Sequence, residues 1–498
     1  MQTRKVKISV AGVMVSVTGL YHHSQQVQKG GLYFALKDGT YVPEAIQNGA
    51  IVIVSEIGVP VSVPDKIIHI AVDDVRATMA LVAKEFYGNV VDEMRVTGVI
   101  GTNGKTTITY IVQHILEMAT GKNVGVVGTT GVINAGKVWD GVTTLTTPDP
   151  IDLHQALSCM YRNGVRDVVM EVSAHAIYYR KLAGINFAGV IFTNITQDHL
   201  DFFETFECYK NTKLSFFQNL NRGAVVINAD DEYGLAVANA VANKPDVFSI
   251  SYSLKHDTIV GTAQWAFVDN VALSVHGSNF NLGKIMDCHL ALPGLYNVYN
   301  AVGAALLCDH YGVDWSVIKD AFLTMPAVPG RFNLYHVHGV TVVIDYAHTP
   351  DGLKQLLKNA RAILPKQAKL LVVFGCGGDR DRTKRPQMGA IAYQLADYVV
   401  LTSDNPRTED PNTIIDEIER GIKTLDISTL NQVLDGALED KYTRIVNRAE
   451  AIEYAINHAQ MCDMVVIAGK GHENYMDVNH QKIPYMDCKV LDNIIARG

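Results

Sequence analysis

Residues Gly98–Thr107 read GVIGTNGKTT, a glycine-rich stretch that ends in Lys-Thr-Thr. The common phosphate-binding loop, G-x-x-x-x-G-K-[ST], requires a glycine at position 99, and this chain has Val99 there. The preceding residues MRVTG predict a strand, and the following residues ITYIVQHILEM predict a helix. A strand–loop–helix junction of this kind directs backbone N–H groups and a helix N-terminus at an anion. The stretch therefore predicts ATP binding, in an uncommon form of the loop.

The end of this loop supplies the side chains that ATP chemistry needs. Lys105 is placed to reach the terminal phosphates, and the Thr106 hydroxyl is placed to ligate Mg²⁺. We predict that the nucleotide contacts the whole loop, which comprises Gly101, Thr102, Asn103, Gly104, Lys105, Thr106 and Thr107.

Strands and helices alternate on both sides of the loop, which predicts an α/β fold. The short β-branched runs NVGVVGTT, RDVVMEVS, AGVIFTNI and GAVVINADD are separated by helical stretches, as in a mostly parallel sheet covered by helices. A chain of 498 residues exceeds what one core usually organises. Turn-rich segments at Tyr87–Asn89 and Met325–Arg331 divide it into three predicted domains, 1–90, 91–328 and 329–498.

The third predicted domain contains four apolar strands that each end in polar or glycine-rich residues. They lie in VTVVIDYAHTP, KLLVVFGCGG, DYVVLTSDNPR and DMVVIAGKGHE. In open α/β sheets, ligands bind at the carboxyl ends of the strands. These four ends predict a second binding region in a Rossmann-like domain.

Composition excludes several classes of function. The net charge of -8 leaves no basic surplus for general binding to nucleic acid or to an anionic membrane. The seven cysteines are scattered without a C-x-x-C pair, which favours a reducing compartment. The N-terminus lacks a signal-peptide core, and no run approaches about 18 apolar residues. We expect a cytoplasmic enzyme that is not inserted in a membrane.

Two polar groups follow apolar strands of the second predicted domain. Glu171 ends the strand in VVMEVSAHA, and the neighbouring Ser173 and His175 favour a magnesium ligand over a solvated glutamate. The second group, TNITQDHLD, contains Asp198 and His199. From the residues alone, a site for Mg²⁺ and phosphate is as well supported there as a helix-capping turn.

Lys213 lies on a predicted helix in YKNTK. A lysine on such a helix is usually a solvated charge, and magnesium ions would repel its ammonium group. Lys213 therefore belongs in the site only if its charge is altered.

The order of the motifs resembles that of the Mur ligase family. Between about residues 95 and 475 the chain contains GTNGKTT, TTPD, MEVSAHA, FTNITQDHLDF, YKNTK, LPGLYNVYNA, DYAHTPD, FGCGGDRDRTKRP, SDNPR and AGKGHE. The resemblance implies three domains, ATP and two magnesium ions. It also implies an amide ligase that phosphorylates a carboxylate of UDP-MurNAc-L-Ala-D-Glu and passes the resulting acyl group to an amine. We expect a monomer.

The resemblance also implies roles for individual residues. Lys213 would be carbamylated, so that it becomes an anion and ligates a magnesium ion, which removes the conflict of charge. The implied catalytic residues are Lys105, Lys213, His199 and Glu171, and the implied metal ligands are Thr106, Glu171, His199 and Lys213. Outside the loop, the nucleotide would contact Asn297, Arg331, Asp345 and His348.

The resemblance further implies that the added amino acid is meso-diaminopimelate, because in the ligases of this family that use it the arginine of DNPR, here Arg407, binds its distal carboxylate. Meso-diaminopimelate has one carboxylate more than L-lysine, and a guanidinium can pair with it in a bidentate manner. L-lysine or another diamino acid remains the alternative. The implied contacts to the amino acid are Arg380, Asp404, Asn405, Pro406, Arg407, Gly469 and Glu473.

The first domain resembles the family less closely. Where the family usually has D-S-R, this chain has His23-Ser24-Gln25 and retains only the serine. The implied contacts to UDP-MurNAc are Ser24, Thr146, Thr147, Ser173, Tyr179 and Lys181. Two further alternatives are a folylpolyglutamate synthetase-like ligase and a non-catalytic ATP-binding scaffold. The DNPR motif argues against the first, and the complete set of Lys105, Glu171, His199 and Lys213 argues against the second.

Overall fold

The computed structural model describes residues 5–139, 145–256, 262–425 and 441–497. These residues form three α/β domains, each with its own sheet, and confirm the predicted fold class. None of the predicted site residues lies outside the described ranges.

The first domain contains a parallel sheet in the order β3-β4-β5-β6 and an antiparallel hairpin, β1–β2. The helix, glycine and strand predicted in PEAIQNGAIVIVSE are present as α1, Gly49 and β5. The elements are β1 Val6–Val10, β2 Val13–Val17, β3 Leu20–Tyr21, β4 Gly31–Ala35, α1 Val42–Gln47, β5 Ala50–Glu56, β6 Ile68–Val72 and α2 Val75–Phe86.

The second domain is built on one large sheet, in the order β10-β9-β8-β11-β7-β12-β13-β14-β15-β16-β17. The strands from β8 to β15 in this order are parallel, and the strands at both edges are antiparallel. The elements are β7 Arg95–Ile100, α3 Lys105–Thr120, β8 Gly125–Gly128, β9 Gly131–Asn134, β10 Lys137–Val138, α4 Pro150–Arg162, β11 Asp167–Val172, α5 Ala174–Tyr178, β12 Phe187–Phe192, α6 Leu200–Phe203, α7 Phe206–Asn219, β13 Gly223–Asn228, α8 Gly234–Val241, β14 Val247–Ser253, β15 Gln264–Ser274, β16 Gly277–Leu282, β17 Ile285–Leu290, α9 Leu295–His310 and α10 Trp315–Leu323.

The third domain has a sheet in the order β18-β19-β23-β20-β21-β22, in which only β18 is antiparallel to its neighbour. The four strands predicted from their apolar runs are β19, β20, β21 and β23. The elements are β18 Asn333–Val337, β19 Val340–Asp345, α11 Pro350–Ile363, β20 Leu370–Phe374, α12 Lys384–Leu395, β21 Tyr398–Leu401, α13 Pro411–Lys423, β22 Tyr442–Arg444, α14 Arg448–His458, β23 Met464–Ala468, β24 Tyr475–Val478, β25 Gln481–Pro484 and α15 Asp487–Arg497.

Helix α3 covers one face of the large sheet with a fully buried stripe. Ile108, Ile111 and Ile115 repeat at helical spacing, and each is 0% exposed. Burial of one such side chain contributes about 1.5–3 kcal/mol, so this stripe fixes the helix that begins at the glycine loop. In the described ranges, no helix has the length and apolar character needed to cross a membrane.

Candidate active site

Steric constraints at two positions explain where the loop requires glycine. A Cβ atom on Gly101 would lie 1.7 Å from Thr193 Oγ1, and Gly104 has a φ of 88° with Asn300 Oδ1 2.5 Å from its Cβ position. Val99 is still inside β7, where it is fully buried and pairs with residues of β11 and β12. The chain therefore needs glycine where the loop meets its neighbours, and position 99 belongs to the core.

The segment after β12 holds the loop in place. Thr102 N donates to Asn194 O at 2.9 Å, and Asn103 N donates to the Asn194 side chain at 2.9 Å. Thr193 Oγ1 donates to Asn103 O at 2.7 Å. Because β7 and β12 are neighbouring parallel strands, the cluster predicted in TNITQDHLD lies beside the loop.

Lys105 folds back over the loop. Its ammonium donates to Gly101 O at 2.9 Å and to Thr102 O at 2.8 Å. Burial lowers the pKa of Lys105, while the carboxylates of Glu171 and Asp198 oppose that shift. The group therefore lies in the concave face of the loop, where a phosphate would replace the carbonyl contacts.

Thr106 in the first turn of α3 and Glu171 near the end of β11 form an oxygen-rich pair. Thr106 Oγ1 donates to Glu171 Oε1 at 2.9 Å and accepts a bond from Arg331 Nη2 at 2.9 Å. The backbone N–H and the hydroxyl of Thr129 both donate to the Glu171 carboxylate, at 2.8 and 3.1 Å. These hydroxyl and carboxylate oxygens are ligands that Mg²⁺ prefers.

The described residues contain no group of three His, Cys, Asp or Glu side chains that could hold a metal ion without further ligands. Magnesium at nucleotide sites is usually bound through one or two carboxylates together with substrate phosphates. The pair of Thr106 and Glu171 fits that pattern, since it supplies two oxygen ligands beside a phosphate loop.

His199 and Asp198 lie at the same edge of the sheet. His199 has a φ of 55°, and its Nε2 lies 3.4 Å from Asp198 Oδ2. Burial, opposed by Asp198 and helped by His175 and His348, lowers the pKa of His199 to about 4, which leaves the imidazole neutral at pH 7. Burial raises the pKa of Asp198, but His199, His348 and Lys384 outweigh it and lower that pKa to about 2. A neutral imidazole next to a carboxylate is competent to bind a cation.

Lys213 is 1% exposed and lines the same cavity. Among the described side chains, no carboxylate lies within 4.0 Å of its ammonium, whose nitrogen is 4.6 Å from the centre of the Tyr209 ring. Burial, and then the charge of Lys105, lowers the pKa of Lys213 far below its usual value. The sequence suggested a solvated charge as the alternative, and the burial of Lys213 excludes it.

Residues of the third domain complete the cavity. The Asp345 carboxylate accepts bonds from Phe332 N at 2.8 Å and Ala347 N at 2.7 Å, which fixes the segment that carries Arg331. Across the domains, Asn103 Nδ2 donates to Asp351 Oδ2 at 3.0 Å.

The cavity has a volume of about 740 Å³ and is lined by most of the predicted ATP and metal residues. The predicted ATP and metal residues that line it are Gly101, Thr102, Asn103, Gly104, Lys105, Thr106, Thr107, Glu171, His199, Lys213, Arg331, Asp345 and His348. Thr146 and Ser173, which were predicted to contact UDP-MurNAc, line it as well. Asn297 does not line it, since its amide donates to Pro293 O at 2.8 Å and the residue is 2% exposed. Its predicted contact with the nucleotide therefore stays a prediction.

The predicted amino-acid residues gather at the ends of β21 and β23. Asn405 Nδ2 donates to Glu473 Oε2 at 2.9 Å. Gly469 has a φ of 115°, and a Cβ atom there would lie 2.5 Å from Asp404 Oδ2. The motifs DNPR and AGKGHE are thus in direct contact.

Arg407 lies next to this pair of motifs. Its Nη1 donates to Gly378 O at 2.6 Å, and its Nε lies 3.7 Å from Asp477 Oδ2. Together with Pro406 it lines a second cavity of about 1050 Å³. Arg380 is exposed, and its Cγ lies 3.8 Å from the position of a Cβ atom on Gly377, which is 2.9 Å from Arg407 Nη1. Both predicted arginines therefore flank one glycine turn after β20.

Four of the six predicted UDP-MurNAc residues form one group near the start of α4. Lys181 is 6% exposed, donates to Thr147 O at 3.3 Å and lies 2.9 Å from Asp149 Oδ1. Thr147 Oγ1 in turn donates to Ser173 Oγ at 3.1 Å. Thr146 Oγ1 lies 3.3 Å from Thr129 Oγ1, so it is continuous with the Glu171 cluster.

The other two predicted residues are engaged inside the protein. Ser24 Oγ donates to Glu44 Oε2 at 2.5 Å. The Tyr179 ring packs under the Arg76 guanidinium, whose carbon lies 4.3 Å from the ring centre. Their contacts to UDP-MurNAc stay predictions.

Among the cavity residues that sequence reasoning missed, three contact the predicted ones directly. Thr129 donates to Glu171, Asn300 faces Gly104, and Asp351 accepts a hydrogen bond from Asn103. Asn300 could have been found, because it lies three residues after Asn297 and so falls on a neighbouring part of the helix surface. Asp351 belongs to the quoted motif DYAHTPD, whereas Thr129 carried no local signal.

Comparison with known proteins agrees with this geometry. The family described as "Mur ligase middle domain" matches residues 99–308, and "Mur ligase, glutamate ligase domain" matches residues 330–471. The UDP-N-acetylmuramoyl-L-alanyl-D-glutamate–2,6-diaminopimelate ligase of Clostridium tetani is 37% identical over 97% of this chain and 96% of its own length. The ligase of the same name from Chlorobaculum tepidum is 37% identical over 98% of this chain and 94% of its own.

Solved structures give the same result. A structure of a ligase of that name has a TM-score of 0.67, with 29% identity over 99% of both chains. A folylpolyglutamate synthase from Mycobacterium tuberculosis has a TM-score of 0.62 at 17% identity over 79% of this chain and 92% of its own, a likeness of fold alone. The chain belongs to the Mur ligase family.

Proposed function

We propose that this chain is an ATP-dependent ligase that joins meso-2,6-diaminopimelate to UDP-MurNAc-L-Ala-D-Glu, a step of peptidoglycan precursor synthesis. The observation that carries the proposal is one cavity shared by the phosphate loop, the Thr106–Glu171 pair, the buried Lys213 and Arg331 of the third domain. A binding scaffold would not need a buried lysine that has no carboxylate within 4.0 Å among the described residues, because burying that charge is costly.

The reaction requires that a carboxylate be made into an acyl donor. ATP supplies a phosphoryl group, and the resulting acyl phosphate gives the carboxylate a leaving group. Lys105, Arg331 and the loop N–H groups would stabilise negative charge on the transferring group. The amine of the amino acid then attacks the activated carbonyl, and the amide forms as phosphate leaves.

Two magnesium ions would neutralise phosphate charge in this cavity. Thr106 and Glu171 would hold the first ion, and His199 and Lys213 the second. Lys213 can take that role only as a carbamate, which forms when its neutral amine adds to CO₂ and releases one proton. Its burial and its lack of an ion pair in the described ranges support that modification, because a neutral amine is the reactive form.

The selection of diaminopimelate is assigned to the region around Arg407. Its guanidinium would pair with the distal carboxylate, which lysine lacks, and Asn405 and Glu473 would bind the adjacent ammonium group. Arg380, Asp404, Pro406 and Gly469 are proposed to shape the same site. Their clustering at the ends of β20, β21 and β23 supports this assignment.

The remaining assignments concern the binding of UDP-MurNAc-L-Ala-D-Glu and the organisation of the whole chain. Ser24, Thr146, Thr147, Ser173, Tyr179 and Lys181 are proposed to contact UDP-MurNAc, and Asn297 the nucleotide. We place the domain boundaries after residues 90 and 328 and propose a cytoplasmic monomer.

Phosphate release from ATP tests the proposal. The purified chain is given UDP-MurNAc-L-Ala-D-Glu with either meso-diaminopimelate or L-lysine, and product is identified by mass. Release that depends on both the acceptor and diaminopimelate is expected. Activity with L-lysine but not with diaminopimelate would contradict the proposed specificity. If the chain is inactive with both amino acids, the ligase assignment is contradicted.

A further inference from the structure

Lys470 is a fully buried lysine of the motif AGKGHE that contacts both motifs assigned to the amino acid, AGKGHE and DNPR. It follows β23 in AGKGHE and is 0% exposed. Its ammonium donates to Asn405 Oδ1 at 3.0 Å and to Glu473 Oε2 at 2.8 Å. Lys470 therefore joins the residues at the ends of β21 and β23, yet it is too buried to contact a ligand itself.

These contacts fix the orientation of the Asn405 amide. Its Oδ1 accepts from the Lys470 ammonium and also from Asp477 N at 2.9 Å. Both partners are donors only, so the oxygen must face them and the NH₂ group must face the other way. One of its hydrogens goes to Glu473 Oε2 at 2.9 Å.

The same contacts fix one side of the Glu473 carboxylate. Its Oε2 accepts from both Asn405 and Lys470, at 2.9 and 2.8 Å. Within the described parts of the chain, no hydrogen bond to Oε1 is present, and the side chain is 17% exposed. Oε1 is therefore the oxygen left to accept from a ligand.

We propose that Lys470 is a positioning residue for the amino-acid site, which holds Asn405 and Glu473 so that they bind the distal ammonium group of the diamino acid. This inference rests on the proposed function, and it assigns Lys470 no contact with substrate. Without the ammonium group, the Asn405 amide is free to turn over and Glu473 loses its strongest partner. The loss falls on the binding of one end of one substrate and leaves the phosphoryl transfer intact.

Replacement by methionine tests the role, because Lys470→Met keeps much of the shape and removes the donors. We expect the KM for meso-diaminopimelate to rise about 10- to 100-fold, as for lost hydrogen bonds to charged groups. We expect kcat to change by less than about 3-fold and the KM for ATP to stay the same. The Lys470 ammonium also lies 5.8 Å from the centre of the Tyr475 ring. Lys482→Met is the matched control, since Lys482 is exposed, packs over that ring at 4.4 Å and makes no hydrogen bond to Asn405 or Glu473 within the described parts of the chain.

A second substrate separates positioning from damage to the fold. 2-Aminopimelate lacks the distal ammonium group, so the native enzyme should use it much less efficiently than diaminopimelate. If Lys470 acts as proposed, Lys470→Met reduces that discrimination. An equal loss of kcat/KM for both substrates, or an unchanged KM for diaminopimelate, would overturn the inference.

A double variant gives an independent readout. In Glu473→Gln the contact with the distal ammonium group of the substrate is already weakened. Adding Lys470→Met to this variant should therefore raise the KM for diaminopimelate much less than it does in the native chain. Additive effects would overturn the coupling. A native enzyme that does not use diaminopimelate would instead refute the proposed function, which separates the two failures.

Discussion

Lys105 and Lys213 share one cavity, and their surroundings give them different chemistry. Lys105 donates to two loop carbonyls, so its charge is solvated by the protein. Lys213 is buried against Tyr209 with no ion pair among the described residues. A lysine in such a position is stable as a neutral amine or as a modified side chain. The loop lysine is therefore the candidate phosphate ligand, and the helix lysine is the candidate for carbamylation.

Lys213→Ala is expected to lose most ligase activity, because the second magnesium ion would lose a carboxylate ligand. Added formate or acetate should restore part of the activity by placing a carboxylate in the space of the side chain. Phosphate release is measured with and without these acids. Lys210→Ala is the control, since Lys210 lies on the same helix and pairs with Glu207. Full activity of Lys213→Ala would remove Lys213 from the site.

Arg407→Ala is expected to raise the KM for meso-diaminopimelate by about 10- to 100-fold, since a charge-assisted bidentate pair is lost. Arg407→Lys should recover only part of the loss, because an ammonium cannot form the two parallel bonds. Initial rates at varied diaminopimelate measure both effects. Arg361→Ala, which removes an exposed pair with Asp397, should leave the KM unchanged. An unchanged KM in Arg407→Ala would exclude the residue from recognition.

At the scale of elements, apolar runs predicted the parallel strands well. A buried parallel strand is apolar on both faces and ends abruptly in polar residues, so β7, β11, β19 and β23 each leave a clear pattern in the sequence. The antiparallel pairing of β15, β16 and β17 and the hairpin β24–β25 were not predicted. Residues of β24 and β25 are partly or fully exposed, so they leave no comparable pattern.

Side-chain direction was harder to predict than the elements. The motif LPGLYNVYNA places two asparagines one turn apart on α9, and only the structure shows that Asn300 faces Gly104 while Asn297 bonds Pro293. The contact of Arg407 with the backbone of β24 is similar, because Arg407 N donates to Asp477 O at 2.9 Å across 70 residues of chain. Such pairings are tertiary and have no local signal.

The close approach of Gly101, in the loop after β7, to Thr193, which follows β12, leads to a prediction. Gly101→Ala is expected to displace the loop, because the new methyl group would lie 1.7 Å from Thr193 Oγ1. We expect a large loss of ATP binding, with destabilisation of about 1–3 kcal/mol for overpacking. Nucleotide titration and thermal unfolding measure the two effects.

A compensating substitution tests the cause. Thr193→Ala removes the clashing hydroxyl, so Gly101→Ala combined with Thr193→Ala should bind ATP better than Gly101→Ala alone. Thr193→Ala by itself is the control for the loss of its bond to Asn103 O. If the double variant is no better, the close approach to Thr193 does not explain the glycine.

At the scale of the whole molecule, a small number of polar contacts bring the third domain to the second. Arg331 donates to Thr106 at 2.9 Å, and Asn103 donates to Asp351 at 3.0 Å. His472 Nε2 also lies 3.4 Å from Thr129 O. All three contacts involve the loop or the Glu171 cluster. In this structure the third domain therefore contributes side chains directly to the phosphate loop and to the Glu171 cluster.

The first domain meets the second differently, through the packing of α2 against α4. His154 of α4 is 1% exposed, and its Nε2 has no hydrogen-bond partner in the described ranges. Burial, and then the charge of Lys84 on α2, lowers the pKa of His154 to about 4. In the unfolded chain a histidine titrates near its usual pKa of about 6.5. Protonation therefore favours the unfolded state.

Acid should destabilise the protein through His154. The contribution of neutral His154 to the free energy of unfolding is fully present above the unfolded pKa of about 6.5 and is lost as the pH falls toward the folded pKa of about 4. The full loss amounts to about 3 kcal/mol. His154→Phe keeps a ring and cannot be protonated, so it should lose less stability between pH 7 and pH 4.5 than the native chain. Urea unfolding followed by tryptophan fluorescence measures this, since Trp139, Trp265 and Trp315 all lie between residues 91 and 328. His336→Phe, at an exposed position, should keep the native dependence, and an equal loss in His154→Phe would show that His154 does not control it.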